Sequence, residues 1–375
     1  MDALDSAILK SGSEAYVAMG TSQDADLRYL TQFSTTDPVV YIRRPGEKGL
    51  IIVSQMECQR AERESAAAVM SRAQAGLLEI LKEENDRWRA LARMIGGLVN
   101  GRLLVPPQFP YALAKELGAM RELEVDRTAL VEMRAVKSPR EIGHIQMVQA
   151  ATDRAMEKGI AMLRKARVKR GHLYQGAVPL TSGMVRGAMH QVLLRNGCIP
   201  TETIVSCGEE TALPHLTGEG HLSADEPIVI DIFPRNEQTG YYSDMTRTVC
   251  RGEPTMQIKE MFQAVKDAHT MASEKIRPGL TGAEVHQAVV DLFVERGFES
   301  GHEGFVHNLG HGVGLEVHEA PSLGPGGEEL RKGNVVTIEP GLYYPGVGGI
   351  RIENTGVLRT DGFESLTRFP VSLVL

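Results

Sequence analysis

The chain has 375 residues, 42% of them hydrophobic and 24% charged, with a formal net charge of −7. That length allows two domains and a sizeable core. The acidic balance, with no basic block standing out against it, argues against nucleic-acid or anionic-membrane partners. No stretch approaches the roughly 18 apolar residues of a membrane span. The N-terminal MDALDSAILKSG carries acids where a secretory leader carries a basic region. Cys58, Cys198, Cys207 and Cys250 form no C-x-x-C pair, the pattern of buried free thiols in a cytoplasmic protein.

In chain order, AYVAMG (15–20), VVYIRR (39–44) and GLIIV (49–53) read as strands, the last two joined by the turn PGEKG as a hairpin. Residues 55–70, 86–99 and 110–117 have helical composition, and RLLVPP (102–107) reads as another strand. These segments make a smaller α/β domain over residues 1–128, without a catalytic constellation. In SPREIGHI, Ser138 caps a helix, Pro139 presets its first turn and Glu141 completes a capping box. That helix should run toward Arg164 and open a second domain over 137–375. Further helices are expected at 182–196, 254–276 and 281–297. Strands are expected at 228–233 and 246–252, then at 335–341 and 349–358. The order, helices then a strand pair, twice over, suggests two similar halves in an α+β domain, without a residue-level repeat.

Five residues of metal-ligand type lie in or beside these strands and a glycine loop: Asp231, Asp244, His311, Glu339 and Glu353. A buried carboxylate without a partner costs several kcal/mol. Four of them in one apolar neighbourhood therefore call for cations. Oxygen-rich ligands with one imidazole suit Mn²⁺, Co²⁺, Fe²⁺ or Zn²⁺. The glycines of LGHGVG allow the backbone beside His311 a close approach to metal or substrate.

VIDIFPRNEQTGYYSDMTRT, NLGHGVGLEVHE, TIEPGLYY and GIRIEN resemble the signature segments of the Xaa-Pro peptidases. These are the prolidases and aminopeptidases P of the pita-bread metallopeptidase family. The resemblance implies a pita-bread C-terminal catalytic domain behind a creatinase-like N-terminal domain. It implies two divalent ions, Mn²⁺ foremost with Co²⁺, Zn²⁺ or Fe²⁺ as alternatives, and a hydroxide between them that cleaves the bond before proline. Asp231 would hold one ion, His311 and Glu339 the other, and Asp244 and Glu353 would bridge. Glu339 would also relay the proton. His318 would contact the substrate carbonyl and His215 would hold the substrate, both as catalytic residues. Arg351 and Tyr343 would complete the substrate pocket. The partners implied are a proline-containing di- or oligopeptide and a second copy in a homodimer.

Two departures stand out. Asp231 and Asp244 are 13 positions apart (244 − 231), slightly more than the family pattern, and Phe233 stands where a small residue is frequent. For single residues the competing roles are ordinary ones: a strand histidine at 318, a loop histidine at 215, a core tyrosine at 343, a structural salt-bridge partner at 351. His307 reads as structural or as pocket wall, Glu316 as solvated, and Glu319 as an orienting partner for His318. Two rival functions are a methionine-aminopeptidase-like enzyme and a metal-free binding protein of the same fold. The N-terminal domain and Arg351 speak against the first, and the complete ligand set against the second.

Overall fold

The computed structural model describes residues 1–375, which divide into two compact units, Met1–Arg134 and Ala135–Leu375. The first unit is built on a six-stranded sheet in the order Ala68–Ser71, Leu50–Val53, Val39–Arg43, Ala15–Gly20, Leu103–Val105, Leu123–Val125. The 39–43 and 50–53 strands pair antiparallel as the expected hairpin, with Val40 opposite Ile52. Side chains alternate across a strand, so the sheet feeds two cores. Ala15, Val17, Val40 and Ile52 face one, while Tyr16, Ala18, Val39 and Ile51 face the other.

Residues 55–70 depart from expectation. Only a short 3-10 turn and the helix Cys58–Glu64 form there, and Ala68–Ser71 is an edge strand parallel to Leu50–Val53. Alanine-rich composition favours helix locally, but an open sheet edge beside it offers Val69 and Met70 ladder partners, and pairing overrides propensity.

In the second unit, Ser138 caps the helix Pro139–Lys165 with the full capping box to Glu141. The helix Ser182–Arg195 packs on it. Beneath them lies an antiparallel sheet ordered Ile204–Cys207, Pro227–Ile232, Met245–Cys250. The second half repeats the plan. Helices Met256–Lys275 and Gly282–Glu295, the latter opened by a Thr281–Glu284 capping box, pack together. Their sheet runs Glu319–Leu323, Gly310–Gly312, Val335–Ile338, Asn354–Arg359, Gly362–Ser365. Each half has its own core, around Val148, Met189 and Ile230 in one and Met261, Val289 and Ile338 in the other.

Two expected strands are interrupted. The 335–341 segment ends at Ile338, and Gly341–Tyr344 starts a separate hairpin with Gly348–Arg351. The 349–358 segment breaks at Ile352 and Glu353. Residues 167–179 also carry a small three-stranded sheet that the sequence did not suggest. Its start overlaps a basic run of Arg164, Lys165, Arg167, Lys169 and Arg170, all exposed, so the chain does hold one local basic block.

Candidate metal centre

The strand interruptions place the acids. Asp231 lies in the ladder, opposite Ile204 on one side and Thr246 on the other. Asp244 stands one residue before Met245–Cys250, beside that strand and not on it. Glu339 follows the end of Val335–Ile338, and Glu353 occupies the break between two strands. A residue just off a ladder can turn its side chain toward the gap between sheets, which a residue within it cannot do without flipping its neighbours.

The outcome is one cluster. Ligand atoms of Asp244, His311 and Glu353 all lie within 4.8 Å of one another. His311 Nε2 is 3.1 Å from Glu339 Oε1 and 3.8 Å from Asp244 Oδ2. His311 Nδ1 is 3.1 Å from the Gly312 carbonyl. A carbonyl only accepts, so Nδ1 carries a proton; with no cation bound Nε2 carries one too and donates to Glu339, and a cation would take the place of that second proton. Arg351 Nη2 donates to Asp231 Oδ2 at 2.7 Å, and the Thr246 hydroxyl donates to Glu353 Oε2 at 2.8 Å. Gly310 and Gly312 let the His311 strand sit tightly between its neighbours. A Cβ on them would lie 2.2 Å from the Thr337 and Ala320 carbonyl oxygens respectively.

The hydrogen bonds to Asp231 and Glu353 each satisfy one carboxylate oxygen and leave the other bare, and His311 at 3.8 Å from Asp244 Oδ2 is too far to hydrogen-bond it. Asp231 Oδ1, Asp244 Oδ1 and Glu353 Oε1 are buried without any hydrogen-bond partner. Buried polar atoms in folded proteins are almost always paired, and three orphaned carboxylate oxygens in one cluster are what a divalent cation satisfies. The protonation pattern agrees. Burial, then the charges of Glu353, Asp231 and Glu339, push Asp244 well above the carboxylate range. Burial and the neighbouring acids push Glu353 up likewise. Burial also acts upward on Glu339, but the His311 hydrogen bond and charge outweigh it and hold Glu339 down to about 2. The donor set therefore fits a cation, with the ligand atoms of Asp244, His311 and Glu353 closest together and Asp231 and Glu339 beside them on the same cavity.

These groups open on a cavity of about 860 Å³, also lined by His215, Phe233, His307, His318 and Arg351. His215 and His318 are exposed at its wall. The His318 ring packs edge-on against His311 at 4.2 Å between centroids. Burial, then the His311 charge, lowers the His318 pKa. Phe233 occupies wall space as its size suggested.

Tyr343 is a correction. It is buried (2% exposed) and absent from the cavity wall, so it does not touch substrate there. Its phenol accepts from Arg351 Nη1 at 2.7 Å and lies 3.0 Å from His307 Nε2. His307 Nδ1 gives its proton to the Asn308 carbonyl at 2.7 Å, so Tyr343 donates to Nε2. The wall residue is His307, and its position four before His311 was the available signal. The Glu319 carboxylate meets Lys137 Nζ at 2.5 Å. Glu202, Asn308, Ser322 and Glu328 also line the cavity; nothing in the sequence marked them.

Four carboxylates and an imidazole around orphaned oxygens define a divalent-cation centre. Residues 143–360 match the model of metallopeptidase family M24, and residues 2–136 match the creatinase/prolidase N-terminal domain. The chain belongs to metallopeptidase family M24. It is 30% identical over 341 residues to a Xaa-Pro dipeptidase of Pyrococcus horikoshii, covering 89% of this chain and 88% of that one. Among solved structures it is similar to a Xaa-Pro dipeptidase from Bacillus anthracis (TM-score 0.85, 25% identity, 100% and 98% coverage). It is also similar to an X-Pro aminopeptidase from Thermotoga maritima (TM-score 0.80, 25% identity, 97% and 98% coverage).

Proposed function

We propose that this chain hydrolyses the peptide bond before proline, using two divalent ions, Mn²⁺ foremost, held by Asp231, Asp244, His311, Glu339 and Glu353. The carrying observation is the cluster of three buried carboxylate oxygens without partners, inside the family M24 region. Relatives named Xaa-Pro dipeptidase and X-Pro aminopeptidase support the substrate class. Residues 137–375 form the catalytic domain in this reading and 1–128 the N-terminal domain. Four free cysteines support a cytoplasmic site of action, no helix is long and apolar enough to cross a membrane, and the family resemblance supports a homodimer.

Bound at this centre, divalent cations supply Lewis acidity and lower the pKa of water toward 7. The protein's side chains do the rest. His318, at the wall beside His311, donates a hydrogen bond to the scissile carbonyl oxygen as negative charge develops on it. Thr337 holds Glu339 by Oε1, and the carboxylate takes the nucleophile's proton and delivers it to the prolyl nitrogen. That nitrogen carries no hydrogen in the substrate and cannot leave without one. His215 holds the peptide against the wall. Arg351 keeps Asp231 aligned.

Substrate length turns on charge. Arg351 is the only lysine or arginine on the cavity wall, and its guanidinium is already engaged by Asp231, Tyr343 and Thr246. Glu202 and Glu328 add negative charge to the same wall. This supports the aminopeptidase reading beside the dipeptidase one, because a free prolyl carboxylate finds no spare lysine or arginine on this wall. The test compares Xaa-Pro, Xaa-Pro-Yaa and Xaa-Ala peptides with Mn²⁺ and with a chelator. Cleavage confined to the proline peptides and abolished by the chelator is expected. A metallated protein that cleaves none of them would end this reading.

A further inference from the structure

The metal-ligand carboxylates have two oxygens each, and something must choose which one faces the cation. At Glu353 and Glu339 the choice is made by threonines whose hydroxyl protons have a fixed direction. Arg351 Nε, which can only donate, donates to Thr246 Oγ1 at 3.1 Å. The one proton of that hydroxyl is therefore sent to Glu353 Oε2 at 2.8 Å. The His311 backbone N–H likewise donates to Thr337 Oγ1 at 3.0 Å, which sends its proton to Glu339 Oε1 at 3.1 Å. Both threonines are fully buried (0% exposed), and a β-branched side chain in a packed strand holds one χ1. Glu353 Oε1, the oxygen that Thr246 leaves alone, is a partnerless atom of the cluster.

The arrangement is reciprocal between the two halves of the unit. Thr246, two residues after Asp244, grips Glu353. Thr355, two residues after Glu353, grips Asp244, accepting its N–H at 3.2 Å and donating to its carbonyl at 2.7 Å. We propose that Thr246 and Thr337 are positioning residues that set which oxygen of Glu353 and Glu339 is presented to the cation. Thr246 also links Glu353 to the Arg351 that holds Asp231, so one hydroxyl aligns acids from both halves. This inference rests on the metallopeptidase reading above.

A control lies on the same strand. Thr248 is 1% exposed and makes two equally buried hydrogen bonds, both to the Arg351 backbone at 2.9 Å. No hydrogen bond joins it to a carboxylate. The experiment measures Mn²⁺ affinity by calorimetry, and stoichiometry by native mass spectrometry, on wild type, Thr246→Val, Thr246→Ser, Thr337→Val and Thr248→Val. The expected result is a loss of roughly 10–100-fold in affinity for Thr246→Val and Thr337→Val. Thr246→Ser should return to wild type, and Thr248→Val should keep wild-type affinity even if it melts lower. Wild-type affinity in Thr246→Val, an equal loss in Thr248→Val, or no rescue by serine would each overturn the proposal. Should Thr246→Val not fold, Thr337→Val and the serine variant carry the same comparison. A wild-type chain that binds no divalent ion would instead sink the metallopeptidase reading itself.

Discussion

Glu339 is held down to about 2 while Asp244 and Glu353 are pushed up, and the difference is His311, which hydrogen-bonds Glu339. That contrast keeps Glu339 ionised, the form that can accept a proton. Glu339→Gln keeps the shape and the oxygen that faces Thr337 but removes the charge. It should lower kcat by about 10²–10⁴-fold, the usual worth of a general base, measured on Xaa-Pro-Yaa cleavage with metal content checked. A fully metallated variant with near-normal kcat would remove Glu339 from the proton path. Away from the site, burial and then the Arg247 charge press His269 down to about 4, and its Nε2 is buried without a partner. The unfolded chain takes up a proton near pH 6.5 while the folded chain resists until about 4. The stability this residue contributes is therefore whole above pH 6.5 and lost as pH falls toward 4, to a depth of about 3 kcal/mol. His269→Phe should flatten that part of the stability–pH curve in denaturant unfolding between pH 7.5 and 4.5. An unchanged slope would mean that His269 is not the group responsible.

The helix start at Ser138 was legible because its signal is local: Ser138 and Glu141 form the capping box that their spacing announces, and the structure adds a second box at Thr281 and Glu284. The five acidic and imidazole side chains were legible as residue types, and the fold brings them to one cavity. What was not legible depends on distant partners. Ala68–Ser71 became a strand because Leu50–Val53 lay open beside it. The breaks at Glu339 and Glu353 look like continuous β-pattern in sequence, and only the packing of two sheets shows them. Tyr343 went behind the wall because its backbone pairs with Gly304, a contact that no local pattern encodes. A tight strand contact at the site makes a prediction of its own. A methyl on Gly310 would lie 2.2 Å from the Thr337 carbonyl and 2.9 Å from its hydroxyl. Gly310→Ala must push the His311 strand off Val335–Ile338, at a cost of about 1–3 kcal/mol, and displace the His311–Thr337–Glu339 bonds. Lower thermal stability together with weaker Mn²⁺ binding is expected. A loss of stability alone, with binding intact, would show that the strand relaxes without moving His311.

At the scale of the molecule, the catalytic unit is two helix-on-sheet halves whose strands meet at charged residues rather than at apolar ones. Glu353 N–H donates to the Thr246 carbonyl at 3.1 Å, and Arg247 reaches the Glu353 carbonyl at 2.6 Å. Part of the seam between the halves is thus the candidate metal centre, and its stability should follow a bound cation. Without a cation, Asp244 and Glu353 titrate above their unfolded values, so folding favours their protonated forms. The stability tied to those protons is present below the unfolded carboxylate range and drains away as pH rises through the folded values. A bound divalent ion reverses this by stabilising the ionised forms, and at 100 times its Kd it adds about 2.7 kcal/mol, worth several degrees of Tm in a unit of this size. Chelation should therefore lower Tm more at pH 8 than at pH 5. The His269 contribution acts on the loaded and the stripped protein alike and cancels in that difference. Differential scanning fluorimetry with and without a chelator at the two pH values measures it. A drop that is equal at both, or larger at pH 5, would mean that the seam is held by its hydrogen bonds and not by the ion.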